Sequence, residues 1–138
     1  MIYILASIFF YDIWFYCSHI LLHTRQLYPY HKIHHTKPNP QFLDTYLGHS
    51  LEGPFQSLGA LVPFFFMTYT YLDIVVILAF LNIRGMMRHD GRMVFFIGNH
   101  HLLHHTHPNY NFGEYWIDSV CGTLYPKKEE RIAGLFYI

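Results

Sequence analysis

The sequence predicts an all-α integral membrane protein, in which one transmembrane helix and a helical hairpin support a histidine-rich helical cap. Three observations carry this prediction: the composition, a long apolar stretch at the start, and three tight clusters of histidine. Of the 138 residues, 52% are hydrophobic and only 13% are charged, which is typical of a chain that buries surface in lipid. The length suits one domain, residues 1–138. Nine basic residues balance nine acidic ones, so no nucleic-acid partner is expected.

The transmembrane helix is expected at residues 1–22, which are almost continuously apolar. At about 1.5 Å per residue, this stretch is long enough to cross a hydrocarbon core of about 30 Å. A cleaved signal peptide is the alternative, but the stretch has neither a basic start nor a small-residue cleavage site. The two cysteines, Cys17 and Cys121, have no metal-type spacing, so a reducing compartment is expected.

Histidine clusters at helical spacing indicate a metal site. Side chains three or four residues apart share one face of a helix, so each cluster directs two or three imidazoles the same way. Neutral imidazole suits iron, zinc, copper and nickel. The alternative, scattered surface histidines, does not account for such clustering in a short chain. The clusters contain more ligands than one ion can use, which predicts a dimetal site formed by His19, His23, His31, His34, His35, His101, His104 and His105.

The helical hairpin follows from the position of these clusters. The two His-x-x-His-His clusters must meet at one site, so the apolar segment between them has to leave the membrane on the side where it entered. We expect arms at residues 51–66 and 71–88, with a turn near residues 68–70. Each arm is short for a full span, so a re-entrant hairpin is the alternative.

The basic residues predict the orientation of the cap. All nine lie in segments that carry histidine clusters or follow them: Arg25, Lys32, Lys37, Arg84, Arg88, Arg92, Lys127, Lys128 and Arg131. By the positive-inside rule, the metal site faces the cytoplasm and the N-terminus lies on the opposite side.

One acidic residue lies inside the first apolar stretch. Asp12, Tyr16, His19 and His23 are spaced 4, 3 and 4 apart, which places them on one stripe of a helix. A carboxylate within a membrane normally has a partner, and a metal-bound imidazole normally donates its other N–H to a carboxylate or carbonyl. Asp12, with Tyr16 as a relay, is therefore a candidate outer partner of a metal-bound histidine. A purely structural hydrogen bond is the alternative.

Further motifs extend the pattern in a fixed order. After Asp12 and the first cluster come Leu27-Tyr28, the second cluster, His49-x-x-Glu52, His89-Asp90-Gly91, the third cluster, Asn111-Phe112-Gly113, Trp116-x-Asp118 and Gly122-Thr123. Over residues 12–124 the sequence resembles the fatty acid hydroxylase/sterol desaturase superfamily. Residues 49–58 and the His89-Asp90-Gly91 triplet are most similar to the sterol 5-desaturase (lathosterol oxidase) branch.

This resemblance implies a non-haem di-iron oxidoreductase in the endoplasmic reticulum or a bacterial inner membrane. Two iron ions, which zinc can replace in a recombinant preparation, would use dioxygen and electrons from a cytochrome b5-type donor. The reaction would hydroxylate or desaturate a sterol or fatty acyl C–H bond. The family commonly has further transmembrane helices before the first cluster, so we expect either a fragment or a minimal version.

The resemblance also assigns site residues one by one. It places metal ligands at all eight clustered histidines and at His89, with His49 as a further candidate. We expect His107 and Asp118 near the site, behind the ligands or on the substrate side, and His100 exposed. Aromatic side chains from Phe9, Phe10, Trp14 and Phe15, or from residues 64–66, could shape a substrate cavity. Two other classes stay open: a non-enzymatic zinc-binding membrane protein, and an inactive truncated paralogue.

Overall fold

The computed structural model describes residues 2–136, and it contains helices but no β-strand within that range. Helix α1 (Ile2–Leu22) is the longest element. Of the helices in the described range, it is the one long and apolar enough to cross a membrane by length and composition. Its buried side includes Asp12, Tyr16 and His19, whereas Ile2, Leu5 and other apolar side chains on the opposite side are exposed.

The second histidine cluster lies on short turns rather than on one continuous helix. Helix α2 (Tyr28–His31) has Pro29 in its first turn, where a proline is tolerated because backbone N–H groups there are unpaired. Three-residue and five-residue 3₁₀ helices follow at His34–Thr36 and Phe42–Tyr46. His31 therefore ends one helix while His34 and His35 begin another, and the tight turns bring all three imidazoles together.

The segment expected to form the first hairpin arm is helical but not uniform. Helix α3 (Glu52–Ser57) continues into a 3₁₀ helix at Leu58–Phe65, which contains Pro63. This arm packs closely on α1: a Cβ added at Gly59 would lie 2.4 Å from the Cβ of Trp14. The Trp14 indole N–H also donates to the Phe55 carbonyl, at 2.7 Å. The arm is thus attached to α1 along its length.

Helix α4 (Tyr71–Arg88) has the bounds expected for the second arm. It begins with a reciprocal cap, in which Thr70 accepts from the Asp73 N–H and Asp73 accepts from the Thr70 N–H. Ile77 and Leu81 of α4 pack with Ala60 in a buried apolar cluster that also contacts α1. The two arms and α1 therefore share one apolar core. Whether the arms enter a membrane stays a prediction.

The remaining helices form the cap and are short: α5 (Val94–Ile97), α6 (His100–Thr106) and α7 (Tyr115–Cys121), with 3₁₀ turns at Gly91–Met93 and Lys128–Glu130. The third histidine cluster lies on α6. A second apolar cluster, formed by Tyr16, Phe112 and Ile117, packs α7 and the loop before it onto α1. This contact brings the third cluster and the first cluster to the same end of α1.

Candidate metal centre

The structure brings all nine histidines proposed as ligands into two adjacent groups. We call them the five-histidine group and the four-histidine group. Within each group the candidate ligand atoms all lie within 4.8 Å of one another. The five-histidine group consists of His19, His23, His31, His35 and His104, and the four-histidine group of His34, His89, His101 and His105. Every chain segment that carries a cluster contributes to at least one group.

Five of these imidazoles are oriented by a hydrogen bond from the Nδ1 side of the ring. Four of the acceptors are backbone carbonyls, and the fifth is a carboxylate. The pairs are His19 to Phe112 O (2.6 Å), His104 to Tyr110 O (2.6 Å), His89 to Gly85 O (2.7 Å), His34 to Leu47 O (3.1 Å) and His31 to Glu52 Oε1 (2.8 Å). Because a carbonyl oxygen can only accept a hydrogen bond, Nδ1 must carry the ring proton in the four histidines whose partner is a carbonyl. Nε2 of a neutral ring is then a bare lone pair.

Those bare nitrogens face one another. Nε2 of His34 and Nε2 of His89 are 3.0 Å apart, and both rings donate from Nδ1 to a carbonyl. Two lone pairs at this distance repel unless a cation lies between them. Ligands at right angles around an ion, with metal–nitrogen distances of about 2.1 Å, are about 3.0 Å apart. The spacing therefore fits two ligands of one ion.

The five-histidine group has the same geometry. Nε2 of His31 lies 3.0 Å from Nε2 of both His19 and His35, and Nε2 of His104 lies 3.2 Å from that of His35. Among the described residues, the buried Nε2 of His23 and both ring nitrogens of His105 have no hydrogen-bond partner. Buried imidazole nitrogens without a partner are costly, and a metal ion in each group would satisfy Nε2 of His23 and one of the two ring nitrogens of His105. The donor set fits iron or zinc.

Burial keeps these rings neutral. It is the largest cause that lowers the pKa of His23 to about 4, and those of His35 and His89 to about 3. Neighbouring imidazoles lower the pKa of all three further. A cation bound at Nε2 of His31 would make the Nδ1–H of that ring a stronger hydrogen-bond donor. Its partner Glu52 would then be favoured in the carboxylate form.

A cavity of about 430 Å³ runs between α1, the first arm and α4, and ends at the histidines. Leu58, Leu61 and Leu78 line its wall and are each about half exposed, so the cavity reaches the surface there. Among the aromatic residues expected to shape it, Phe15 is part of the lining, together with Tyr11. The inner end is lined by imidazoles from both groups: His19, His34, His89 and His101.

Comparison with known proteins gives the relationship of this sequence. A family model described as fatty acid hydroxylase matches residues 4–123, which include all nine grouped histidines. The chain belongs to the fatty acid hydroxylase family. This membership confirms the resemblance inferred from the order of the motifs.

Several members of the fatty acid hydroxylase family are similar in sequence. The Schizosaccharomyces pombe Delta(7)-sterol 5(6)-desaturase erg31 is 34% identical over 118 residues, which cover 78% of this chain and 38% of the relative. The Delta(7)-sterol 5(6)-desaturase erg32 of the same organism is 32% identical over 132 residues, 88% of this chain and 39% of the relative. Lathosterol oxidase of Homo sapiens is 31% identical over 150 residues, 98% of this chain and 49% of the relative. The chain thus spans less than half the length of these relatives, and no solved structure matches it.

Asp12 of this fatty acid hydroxylase family member has a partner other than the one expected. Its carboxylate accepts a two-pronged ion pair from the Arg84 guanidinium of α4, with one N–O distance of 3.2 Å. Both side chains are largely buried. The expectation that Asp12 orients an imidazole is corrected, because packing of α1 on α4 supplies a cation 72 residues away in sequence. Tyr16 is no relay either, since its hydroxyl bonds to the Thr123 hydroxyl at 3.2 Å.

Three other histidines differ from expectation. His49 lies outside both groups, where its ring contacts Tyr30 and its Nδ1 accepts from the Leu51 N–H. His107 also lies outside them and bonds to the Tyr125 hydroxyl at 3.2 Å, which corrects its expected place beside the site.

His100 was expected to be exposed, but it is 9% exposed. Its Nε2 donates to Asp118 at 2.9 Å. The carboxylate stabilises the buried ring, which explains why a ring so close to the ligands points away from them.

Residues that sequence reasoning missed form the support of the site. In the sequence Glu52 stands out only as part of the His49-x-x-Glu52 motif, whereas in the structure it is the partner of His31. Arg88 pairs with Glu114, and Glu114 also lies 3.5 Å from Arg84. The sequence does show these charged residues within apolar or motif-bearing segments, which indicates that they need partners. It does not indicate which acidic residue pairs with which basic residue or histidine.

The neutral histidines predict how stability depends on pH. We expect the metal-free protein to lose stability as the pH falls from about 6.5 towards 4. His23, His35 and His89 have folded-state pKa values of about 4, 3 and 3, below the 6.5 that they regain on unfolding. The unfolded chain therefore binds more protons in this range, and acid favours it. Thermal unfolding in detergent with a chelator, compared at about pH 7.5 and about pH 5, measures the effect. An unfolding temperature that rises on acidification would contradict the assignment of neutral rings.

Proposed function

We propose that this chain is a non-haem di-iron oxidoreductase domain that hydroxylates or desaturates a sterol or fatty acyl C–H bond with dioxygen. The observation that carries the proposal is the meeting of two imidazole groups at the inner end of a largely apolar cavity. Family membership and the printed names of the relatives support a lipid substrate. The chain covers less than half the length of those relatives, so the imidazole groups and the cavity carry the proposal together with the similarity.

The residues of each group would hold one iron ion. Iron supplies the redox chemistry with dioxygen that no side chain can perform. The protein's own contribution is to orient the rings. Carbonyls of Phe112, Tyr110 and Gly85 fix the Nδ1 proton, so that Nε2 stays available as a ligand.

The cavity would position the substrate and exclude water. Its lining includes leucines from both arms, and its opening lies where those leucines are half exposed. A lipid could enter there from the hydrocarbon phase and extend towards His19 and His101 without crossing water. Arg84 also lines the cavity, but its guanidinium forms an ion pair with the Asp12 carboxylate. The wall therefore favours an apolar chain or ring system over an ionised group.

We place α1 across the membrane and both arms in it as a hairpin or re-entrant pair, with the metal groups on the cytoplasmic side. The basic residues favour this orientation in an endoplasmic reticulum or bacterial inner membrane. Electrons would come from a cytochrome b5-type donor that approaches from the cytoplasm.

This topology predicts that Lys32 and Lys127 are accessible from the same, cytoplasmic side. Both side chains are exposed and lie on opposite flanks of the hairpin in sequence. Lys32→Cys and Lys127→Cys would be introduced singly after Cys17→Ser and Cys121→Ser, because both native cysteines are exposed. An impermeant thiol reagent added to vesicles of known orientation reads the side. Labelling of the two positions from opposite faces would refute the hairpin.

The function itself is tested by metal content and turnover. Purified protein is expected to contain two iron ions per chain with the spectroscopic signature of a coupled pair. Lipid profiles of a host that expresses the chain should contain a new hydroxylated or desaturated lipid, which a His34→Ala/His104→Ala control should lack. Zinc alone, with no lipid product, would support the non-enzymatic alternative. Two irons without product, even with the donor system added, would support the inactive paralogue.

A further inference from the structure

The loop before α7 holds two rings of the five-histidine group through its backbone. The Tyr110 carbonyl accepts from Nδ1 of His104 and the Phe112 carbonyl accepts from Nδ1 of His19, both at 2.6 Å. These two rings are fully buried, and their centroids are 4.4 Å apart. In the four-histidine group, the corresponding acceptors for His34 and His89 are the carbonyls of Leu47 and Gly85. The carbonyls of this loop thus orient rings of the five-histidine group.

Asp118 fixes this loop from behind. It is completely buried, and its two oxygens accept four hydrogen bonds. Oδ1 accepts from the Phe112 N–H at 2.9 Å and from the Thr123 hydroxyl at 2.6 Å. Oδ2 accepts from the Gly113 N–H and from His100, each at 2.9 Å. One residue, Phe112, therefore connects the Asp118 carboxylate on its N–H side with His19 on its carbonyl side.

Asn111 sets the backbone between the two carbonyls. Within residues 2–136, it is the one residue other than glycine with a positive φ, 58°. Asparagine tolerates this left-handed conformation better than most residues, but it still needs support. The buried Asn111 side chain donates to the His100 carbonyl at 3.0 Å and accepts from the Tyr125 N–H at 2.8 Å. The reversal at Asn111 lets Tyr110 O and Phe112 O reach two different rings.

We propose that Asp118 and Asn111 are positioning residues that hold the metal of the five-histidine group and leave the four-histidine group nearly unaffected. The inference rests on the proposed function, because it needs both groups to bind metal. A ring that loses its outer acceptor can rotate or change tautomer, and such a loss commonly weakens metal affinity about 10- to 100-fold. The effect falls mainly on the five-histidine group, because His34 and His89 of the other group are oriented by the carbonyls of Leu47 and Gly85.

The test uses the full chain with Asp118→Asn, which keeps the shape but turns one acceptor oxygen into a donor. Iron or cobalt(II) is titrated against a competing chelator, and metal per folded chain is counted. We expect two sites of similar affinity in the unchanged protein and one site weakened about 10- to 100-fold in Asp118→Asn. Asp73→Asn is the matched control, because Asp73 is a partly exposed capping carboxylate at the start of α4, whose other end leads to His89. The control should keep both sites.

Double variants identify which site is weakened. Asp118→Asn combined with His104→Ala should bind as much metal as His104→Ala alone, since both changes act on the five-histidine group. Asp118→Asn combined with His34→Ala should impair both groups. A purely structural role predicts instead that both sites weaken together as the unfolding temperature falls. That result, or two unchanged sites in Asp118→Asn, would overturn the inference.

A second variant keeps the test decisive if Asp118→Asn does not fold. Asn111→Gly retains the left-handed backbone conformation at no steric cost but removes both side-chain hydrogen bonds. It should weaken the same single site, and Thr123→Ser, which keeps the hydroxyl that bonds to Asp118, should weaken neither. Retention of both sites at full affinity in Asn111→Gly would overturn the role of Asn111. An unchanged protein that binds no metal at all would instead refute the proposed function.

Discussion

Replacing His104 with alanine is expected to remove one metal ion per chain and to abolish turnover. His104 is fully buried, its Nδ1 donates to Tyr110 O, and its Nε2 lies 3.2 Å from that of His35. Alanine has no nitrogen that can coordinate a metal, and the space left by the imidazole could be filled only by water. His34→Ala should have the same effect on the other group, since Nε2 of His34 faces Nε2 of His89 at 3.0 Å. Metal per chain and lipid product formed are the two measurements.

The control for these variants is His107→Ala. His107 is a neighbour of the same cluster in sequence, yet it lies outside both groups and bonds to Tyr125. It should keep two metal ions and its turnover. If the His34→Ala/His104→Ala double variant retained two metal ions, the ligand assignment would be wrong.

Local patterns predict much of this site. The 3- and 4-residue spacing drew attention to eight histidines, the resemblance added His89, and the structure gathers all nine into the two groups. It also divides both His-x-x-His-His clusters between the groups, which the expectation of one shared direction per cluster did not include. The bounds of α4 also agree with the sequence, because Thr70 and Asp73 form a recognisable cap after an apolar break. In both cases the signal lies within a few residues of the feature that it predicts.

Other parts of the site have no such local signal. The carbonyls that orient His19, His34, His89 and His104 belong to backbone, which any residue type could supply. The first arm was expected as one helical segment, yet only the structure shows the change from α3 to a 3₁₀ helix around Pro63. Tertiary packing determines both features.

Asp12 illustrates the limit of helix periodicity. Its stripe on α1 correctly places it on the same buried side as Tyr16 and His19. Periodicity describes one helix, however, and the partner comes from another. Arg84 lies on the face of α4 that packs on α1, and a guanidinium matches a carboxylate with two parallel hydrogen bonds. The charged pair therefore joins the two helices. Its loss should lower the stability of the fold more than it lowers the affinity for metal.

We accordingly expect Asp12→Asn to lower the free energy of unfolding by about 3–5 kcal/mol, because it leaves the buried guanidiniums of Arg84 and Arg88 to share the Glu114 carboxylate. The matched control is Lys37→Gln, which breaks the Lys37–Asp44 pair at the surface and should change the free energy of unfolding far less. Denaturant unfolding in detergent gives both values.

Metal content separates this role from the one first expected for Asp12. If the carboxylate stabilises the packing of α1 on α4, the folded fraction of Asp12→Asn keeps two metal ions at nearly unchanged affinity. The Asp12→Asn/Arg84→Gln double variant should then be more stable than the sum of the single changes implies, since it removes the uncompensated charge. Unchanged stability with metal affinity lowered about 10- to 100-fold would show instead that Asp12 acts on the imidazoles.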